Sequence, residues 1–152
     1  MADLVDYTAL ESATWKEGFP ICASTPVDGV DREFIRKVRV NFGSTGTGLA
    51  AADWATVINI PAHTYVFSVS SNIIVAEAAD AAIIVGTGDA NAGWIAAQTG
   101  QVIDVMHSTK STDANYAGVY FHTAGVITIS ATSALDTLVI DLYVHCMTID
   151  PA

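Results

Sequence analysis

A chain of 152 residues is most economically one domain, long enough to bury about 70% of its unfolded surface without staples. Charged residues make up only 14% of it, apolar residues 51%, and the net charge is −10. So acidic and so lightly charged a surface repels phosphate backbones and gains nothing from anionic lipid, which excludes nucleic acid and membranes as partners.

Residues 1–30 hold two of the four prolines, Pro20 and Pro26, and show no strand alternation. They read as an N-terminal arm or edge segment, docked on the body or on a neighbour, ahead of a β-sandwich domain over 31–152. Asp6 to Lys16 is the one stretch with a helical hint, capped by Asp6 or Thr8. Met1 to Asp6 is acidic and has no signal-peptide core. The longest unbroken apolar run is the five residues Ala81 to Val85, far short of a span. The chain is expected to be made in the cytoplasm.

From Phe34 onward a period of two dominates. Val38, Val40 and Phe42 alternate with Lys37, Arg39 and Asn41, and Gly43 to Gly48 is a turn. Thr56, Ile58 and Ile60 form the next face, ended by Pro61. Tyr65, Phe67 and Val69 form another, continued by Ile73 and Val75. Ala81 to Val85 is a short buried strand, and the Gly86 to Gly93 loop separates it from Trp94 and Ile95. Val102 to His107 is a further strand and Ser108 to Asn115 a polar loop. Val119 to His122, Val126 to Ser130 and Leu138 to Met147 close the chain. In the last strand Leu138, Ile140, Leu142, Val144 and Cys146 point one way. Val139, Asp141, Tyr143, His145 and Met147 point the other. Both faces are rather apolar, so this strand is expected to be central or at an interface. Eight to ten short strands predict an all-β fold, a two-sheet antiparallel sandwich, jelly-roll-like, with an extended N-terminal arm.

Candidate chemistry is thin. Gly86-Thr87-Gly88-Asp89-Ala90-Asn91 starts like a dinucleotide loop, but Asn91 stands where the third glycine belongs and no helix follows. Asp89, Asn91 and Gly93 miss the calcium-loop spacing, because Gly93 offers no side-chain oxygen. His63, His107, His122 and His145 have no metal-ligand spacing, although His107 and His122 flank a loop across which a hairpin would bring them together. His145 and Cys146 are sequence neighbours on a strand and face opposite ways. Acids are scattered and no serine sits in a nucleophile elbow. No catalytic residue, cofactor site or metal site is expected. Cys22 and Cys146 are too few for a disulfide framework and are expected to be reduced, a single bridge being the alternative.

Charge placement singles out one cluster. Five of the six basic residues lie at or before Arg39, and residues 40–152 set nine acids against Lys110 alone. Arg32, Arg36, Lys37 and Arg39 fall within eight positions. They are either a basic stripe that grips an acidic partner or a solvated edge-strand face, where lysine also discourages unwanted pairing. Low charge over the rest predicts a homo-oligomer or docking onto a larger assembly, a mild Ala, Thr and Ser surface being the alternative.

The order of features carries a resemblance. Val57-Ile58-Asn59-Ile60-Pro61-Ala62 ends one strand, and Tyr65-Val66-Phe67-Ser68-Val69 begins the next. Ala81, Ile83-Ile84-Val85-Gly86-Thr87-Gly88-Asp89 and Gly93-Trp94-Ile95 follow, then Val126-Ile127-Thr128-Ile129 and the long strand through Val144. Residues 38–147 on these motifs resemble the small β-sandwich virion proteins of tailed bacteriophages, above all capsid decoration (cement) proteins. That resemblance implies a homo-oligomer, a trimer, seated on the capsid surface of the virion against the major capsid protein and tying neighbouring shell subunits together. Two other readings stand beside it. One is a tail-fibre, baseplate or adhesin module that binds a host glycan through Trp94, Tyr116 and Tyr120. The other is a free-standing ligand-binding jelly roll.

Overall fold

Short runs of Val, Ile and Thr at period two bury one side of an extended chain and bond their backbone only with neighbouring chains, so they build sheets. The computed structural model describes residues 5–6, 19–20, 32–43, 48–87, 93–103, 106–108 and 118–149. Its eleven strands are β1 (Val5–Asp6), β2 (Phe19–Pro20), β3 (Arg32–Asn41), β4 (Trp54–Ile60), β5 (Thr64–Val75), β6 (Ala82–Gly86), β7 (Ile95–Thr99), β8 (Met106–Ser108), β9 (Val119–Phe121), β10 (Gly125–Ala131) and β11 (Val139–Thr148). No helix occurs among the described residues; residues 7–16 of the expected helix lie outside them, and Asp6 is in β1.

The fold is all-β, two sheets layered as a sandwich. The first sheet runs β1-β4-β10-β6-β7; the second runs β2-β3-β11-β5, with β8 and β9 side by side along the outer edge of β5. Every pairing is antiparallel except β1 with β4. The described pieces of the first thirty residues are therefore strand pairs: Val5–Asp6 on β4 and Phe19–Pro20 on β3.

Inward side chains from both sheets make one core. Val38, Val40, Val66, Val69, Ile73, Ile140, Leu142, Val144 and Cys146 come from the second sheet. Ala55, Ile58, Ile60, Ile83, Val85, Ile127 and Ile129 come from the first. The expected inward faces of β3 and β11 are the observed ones, and β11 lies between β3 and β5. A polar link crosses this core, where the Ser71 hydroxyl on β5 donates to Gln98 Oε1 on β7.

Of the register shifts among the described strands, one on β4 and one on β5 change the expected faces. On β4, Ile58 pairs with Ile127 but Thr56 with Thr128, so Val57 is an extra residue. Ala55, in the row of Ile129 and Val85, then faces the core while Thr56 does not share its face. On β5, Ser68 pairs with His145 but Val66 with Cys146, so Phe67 is the extra residue. The expected face Tyr65, Phe67 and Val69 is thus corrected. Val66 and Val69 are buried, while Tyr65 and Phe67 lie half-buried on the outer side. An extra residue shifts every later side chain to the opposite face.

A second correction concerns Val102 to His107. The described strand is Met106–Ser108, and Val102 and Ile103 are exposed, outside any strand, beyond the turn at Gly100–Gln101. Residues 44–47, 88–92 and 109–115, within the expected loops, lie outside the described residues, as do 116–117 and Cys22. Cys146 is a free, buried thiol.

Ala52 closes the turn before β4 with φ of 65°, bonded from its N–H to Ala131 O at 3.1 Å. An alanine there carries left-handed strain that glycine relieves, against the extra freedom glycine has when unfolded. Ala52→Gly is expected to raise stability by about 0.5 kcal/mol and the melting temperature by about 1–2 °C in a thermal unfolding scan.

Candidate interaction surface

The outward face of the second sheet is where sequence expectation and structure meet. Odd-numbered positions of β3 and β11 share it, and antiparallel register fixes their order. Arg39 sits opposite Asp141, Lys37 opposite Tyr143, Ile35 opposite His145 and Glu33 opposite Met147. On the other side of β11, Met147 meets Tyr65, which in turn meets Tyr120 of β9.

Asp141 anchors one end. Its side chain is only 1% exposed, yet it is charged. Arg39 Nε and Nη2 donate to Oδ1 and Oδ2 at 2.7 and 2.8 Å, and Lys37 Nζ donates to Oδ2 at 2.8 Å. Burial disfavours the ionised carboxyl, but the hydrogen bonds from Arg39 and Lys37, with their charges, outweigh it and hold Asp141 below the usual carboxylate range. Reciprocally, the bond to Asp141 raises Lys37 and Arg39. The Lys37 ammonium also lies 5.6 Å from the Tyr143 ring centre, within cation–π reach.

The other end is aromatic. His145 Nε2 is hydrogen-bonded to the Glu33 carboxylate. The His145 ring lies 4.7 Å from Phe67, and Phe67 meets Tyr65 edge-on at 4.8 Å. The bulge on β5 is what delivers Phe67 to this place. Beyond it, His63 Nδ1 and the Tyr120 hydroxyl are hydrogen-bonded at 3.0 Å, and Tyr120 meets His122 edge-on at 4.3 Å. His63 has φ of 60° and is held by its N–H on Phe121 O and by Ile149 N–H on its own carbonyl. Gly118, at φ of 112°, lets β9 approach, since a Cβ there would stand 2.0 Å from the Tyr65 hydroxyl.

The basic cluster does not form one stripe. Lys37 and Arg39 are 46% and 53% exposed on the outer face. Arg36, opposite Val144, is 7% exposed on the inner one. The Arg36 charge reaches Cys146, whose thiol burial nonetheless pushes up to about 12, leaving it essentially without thiolate. The Arg32 side chain lies outside the described residues. His107 and His122 are not across one hairpin: β8 meets β5 at Ser70–Asn72 and β9 at Thr64–Val66. No group of three or more metal-ligating side chains forms among the described residues. Trp94 is buried in the core, and Tyr116 lies outside the described residues.

Sequence reasoning missed Glu33, Tyr65, Phe67, Asp141 and His145 as a group. Their signal was the odd parity shared by β3 and β11, which becomes informative only once those strands are known to pair. It also missed Glu77. That buried carboxylate accepts from Ala78 N–H and Thr137 Oγ1 on Oε1, and from the N–H groups of Asp136, Thr137 and Leu138 on Oε2, at 2.9–3.1 Å. Burial opposes its charge, but these donors together hold it below the usual glutamate range.

No protein-family model and no curated protein sequence matches the chain. Among solved structures it is similar to a chain of the acid-stable capsid of Helicobacter pylori bacteriophage KHP30. The two are 13% identical over 82% of this chain and 92% of that one, with a TM-score of 0.45.

Proposed function

We propose that the chain is a structural protein of a bacteriophage virion, an oligomeric decoration or cement subunit that docks on the outer capsid and ties shell subunits together. The observation that carries this reading is the winding of the strands. The order β3-β11-β5 with β8 and β9 in one sheet, and β4-β10-β6-β7 in the other, supports reading the sandwich as a jelly roll, an architecture used by viral capsid domains. Fold alone does not specify work, so the surface has to supply the rest. Val75 ends β5, and Val102 and Ile103 follow β7, all three exposed. The Glu77 N–H bonds to Gly100 O at 2.9 Å, which ties the end of β5 to the turn after β7 and brings the three towards one end of the sandwich. An apolar tip on an acidic body fits a docking contact with the major capsid protein.

The mechanism is mechanical. Each copy adds interface that must be lost before the shell opens, and many symmetric copies multiply a modest contact. Cofactors and turnover play no part in it. The resemblance in the sequence implies trimers as the oligomer.

Purified virions test the reading. Hundreds of copies per particle are expected, with occupancy falling on Val75→Asp combined with Ile103→Asp while the melting temperature stays within a few degrees. A handful of copies per particle overturns it in favour of a tail position. The glycan-binding alternative has lost Trp94 to the core, and a glycan array addresses it directly.

A further inference from the structure

We propose that the outer face of the second sheet is a contact between two copies of this chain, related by a twofold axis that crosses the strands at Ile35. The contact rests on reading the chain as an assembly module, but not on its place in a virion.

Three observations lead there. The face has an apolar and aromatic centre on β3 and β11, bordered on β5 by Ser68, Ser70 and Asn72. Ile35 is exposed, and Tyr65, Phe67, Tyr143, His145 and Met147 are half-buried on it. Second, its described charges cancel. Glu33 and Asp141 balance Lys37 and Arg39 on a chain whose net charge is −10. Two copies approaching elsewhere meet like charge; here that long-range repulsion is locally absent.

Third, the charges are ordered. Along the outer side of β3 stand Glu33, Ile35, Lys37 and Arg39, an acid at one end and bases at the other. A twofold axis in the plane of contact, perpendicular to the strands, reverses strand direction in the second copy. Centred on Ile35, it sets Ile35 over the partner's Ile35, Glu33 over the partner's Lys37, and Lys37 over the partner's Glu33. An axis parallel to the strands would instead bring Glu33 towards Glu33 and Lys37 towards Lys37, which like-charge repulsion disfavours. The patch is thus self-complementary, as a twofold interface requires. Lys37 has donors for this: the ammonium carries three hydrogens and gives one to Asp141. Phe67, brought outward by the bulge on β5, widens the apolar centre beside His145. A twofold pairing makes the solution species two copies, in place of the three that the resemblance implies.

The test is solution mass of the full purified chain by light scattering and sedimentation, at low and high salt. The wild type is expected to be a dimer at about 100 μM. Ile35→Asp, and separately Glu33→Lys, are expected to weaken it by about tenfold or more, with unchanged circular dichroism. The decisive measurement mixes Glu33→Lys with Lys37→Glu. Each variant alone sets like charges against each other, whereas the mixed pair restores both contacts, so heterodimers should form from two monomeric preparations. A monomeric wild type overturns the contact, as does a mass untouched by Ile35→Asp and Glu33→Lys, or a mixture that stays monomeric. A monomer that still decorates particles sinks this contact and leaves the virion reading standing. A dimer absent from particles does the reverse.

Discussion

Glu77→Ala should lower the unfolding free energy by about 3–4 kcal/mol and the melting temperature by about 10 °C. Glu77 joins three stretches of chain, two through its carboxylate and one through its backbone. Its own loop after β5 supplies Ala78 N–H. The loop before β11 supplies the N–H groups of Asp136, Thr137 and Leu138 and the Thr137 hydroxyl. Its backbone N–H bonds to Gly100 O at 2.9 Å, bringing in the turn after β7. Alanine removes the acceptor for three neighbouring N–H groups at once, and donors left without partners are expensive.

Glutamine separates charge from shape. Its carbonyl oxygen can take the Oε2 position and keep the three N–H bonds. Its amide then faces Thr137 Oγ1, which can accept it and donate to Ala76 O, already 3.3 Å away. Ala78 N–H keeps Thr137 Oγ1 at 3.2 Å. Glu77→Gln should therefore cost only the charge assistance, about 1.5 kcal/mol. Urea unfolding at fixed protein concentration measures both variants. Equal losses for Ala and Gln would mean that the hydrogen-bond geometry contributes nothing.

Asp141→Asn should cost about 2 kcal/mol by the same measurement. The carboxylate is buried, but Lys37 and Arg39 are about half exposed. Those cations recover water when the pair is broken, so the loss stays below that of breaking a fully buried ion pair. Asparagine keeps the size and one acceptor but turns an amide donor towards a cation.

Both carboxyls have folded-state values below their usual ones, Glu77 because its N–H and hydroxyl donors outweigh burial and Asp141 because Arg39 and Lys37 do. For a depressed carboxyl the stabilisation is complete above its unfolded value and is lost as pH falls through the folded one. The stability gap between wild type and Glu77→Gln should stay constant from neutral pH to about pH 5 and shrink below about pH 4. A gap that widens in acid would contradict the sign.

The sequence by itself determined the class of fold and the inward faces of β3 and β11, and narrowed β11 to a central strand or one at an interface. Val38, Val40 and Phe42 alternate with polar neighbours, and Leu138, Ile140, Leu142, Val144 and Cys146 recur at every second position; a period of two leaves a strand little freedom over which side it buries. The uncancelled negative charge was equally legible, because it is a property of composition. Tertiary structure decided the rest. Whether Phe67 points in or out depends on one extra residue relative to β11, which is a property of two strands and leaves no mark on either alone. Arg36 and Lys37 are chain neighbours that pleating sends to opposite faces, so a cluster of basic residues in sequence becomes two environments in space. Glu77 and Thr137 lie 60 positions apart. Only the packing of their loops makes a lone glutamate the acceptor for three consecutive amides, because a buried backbone N–H must find its partner wherever the fold places one.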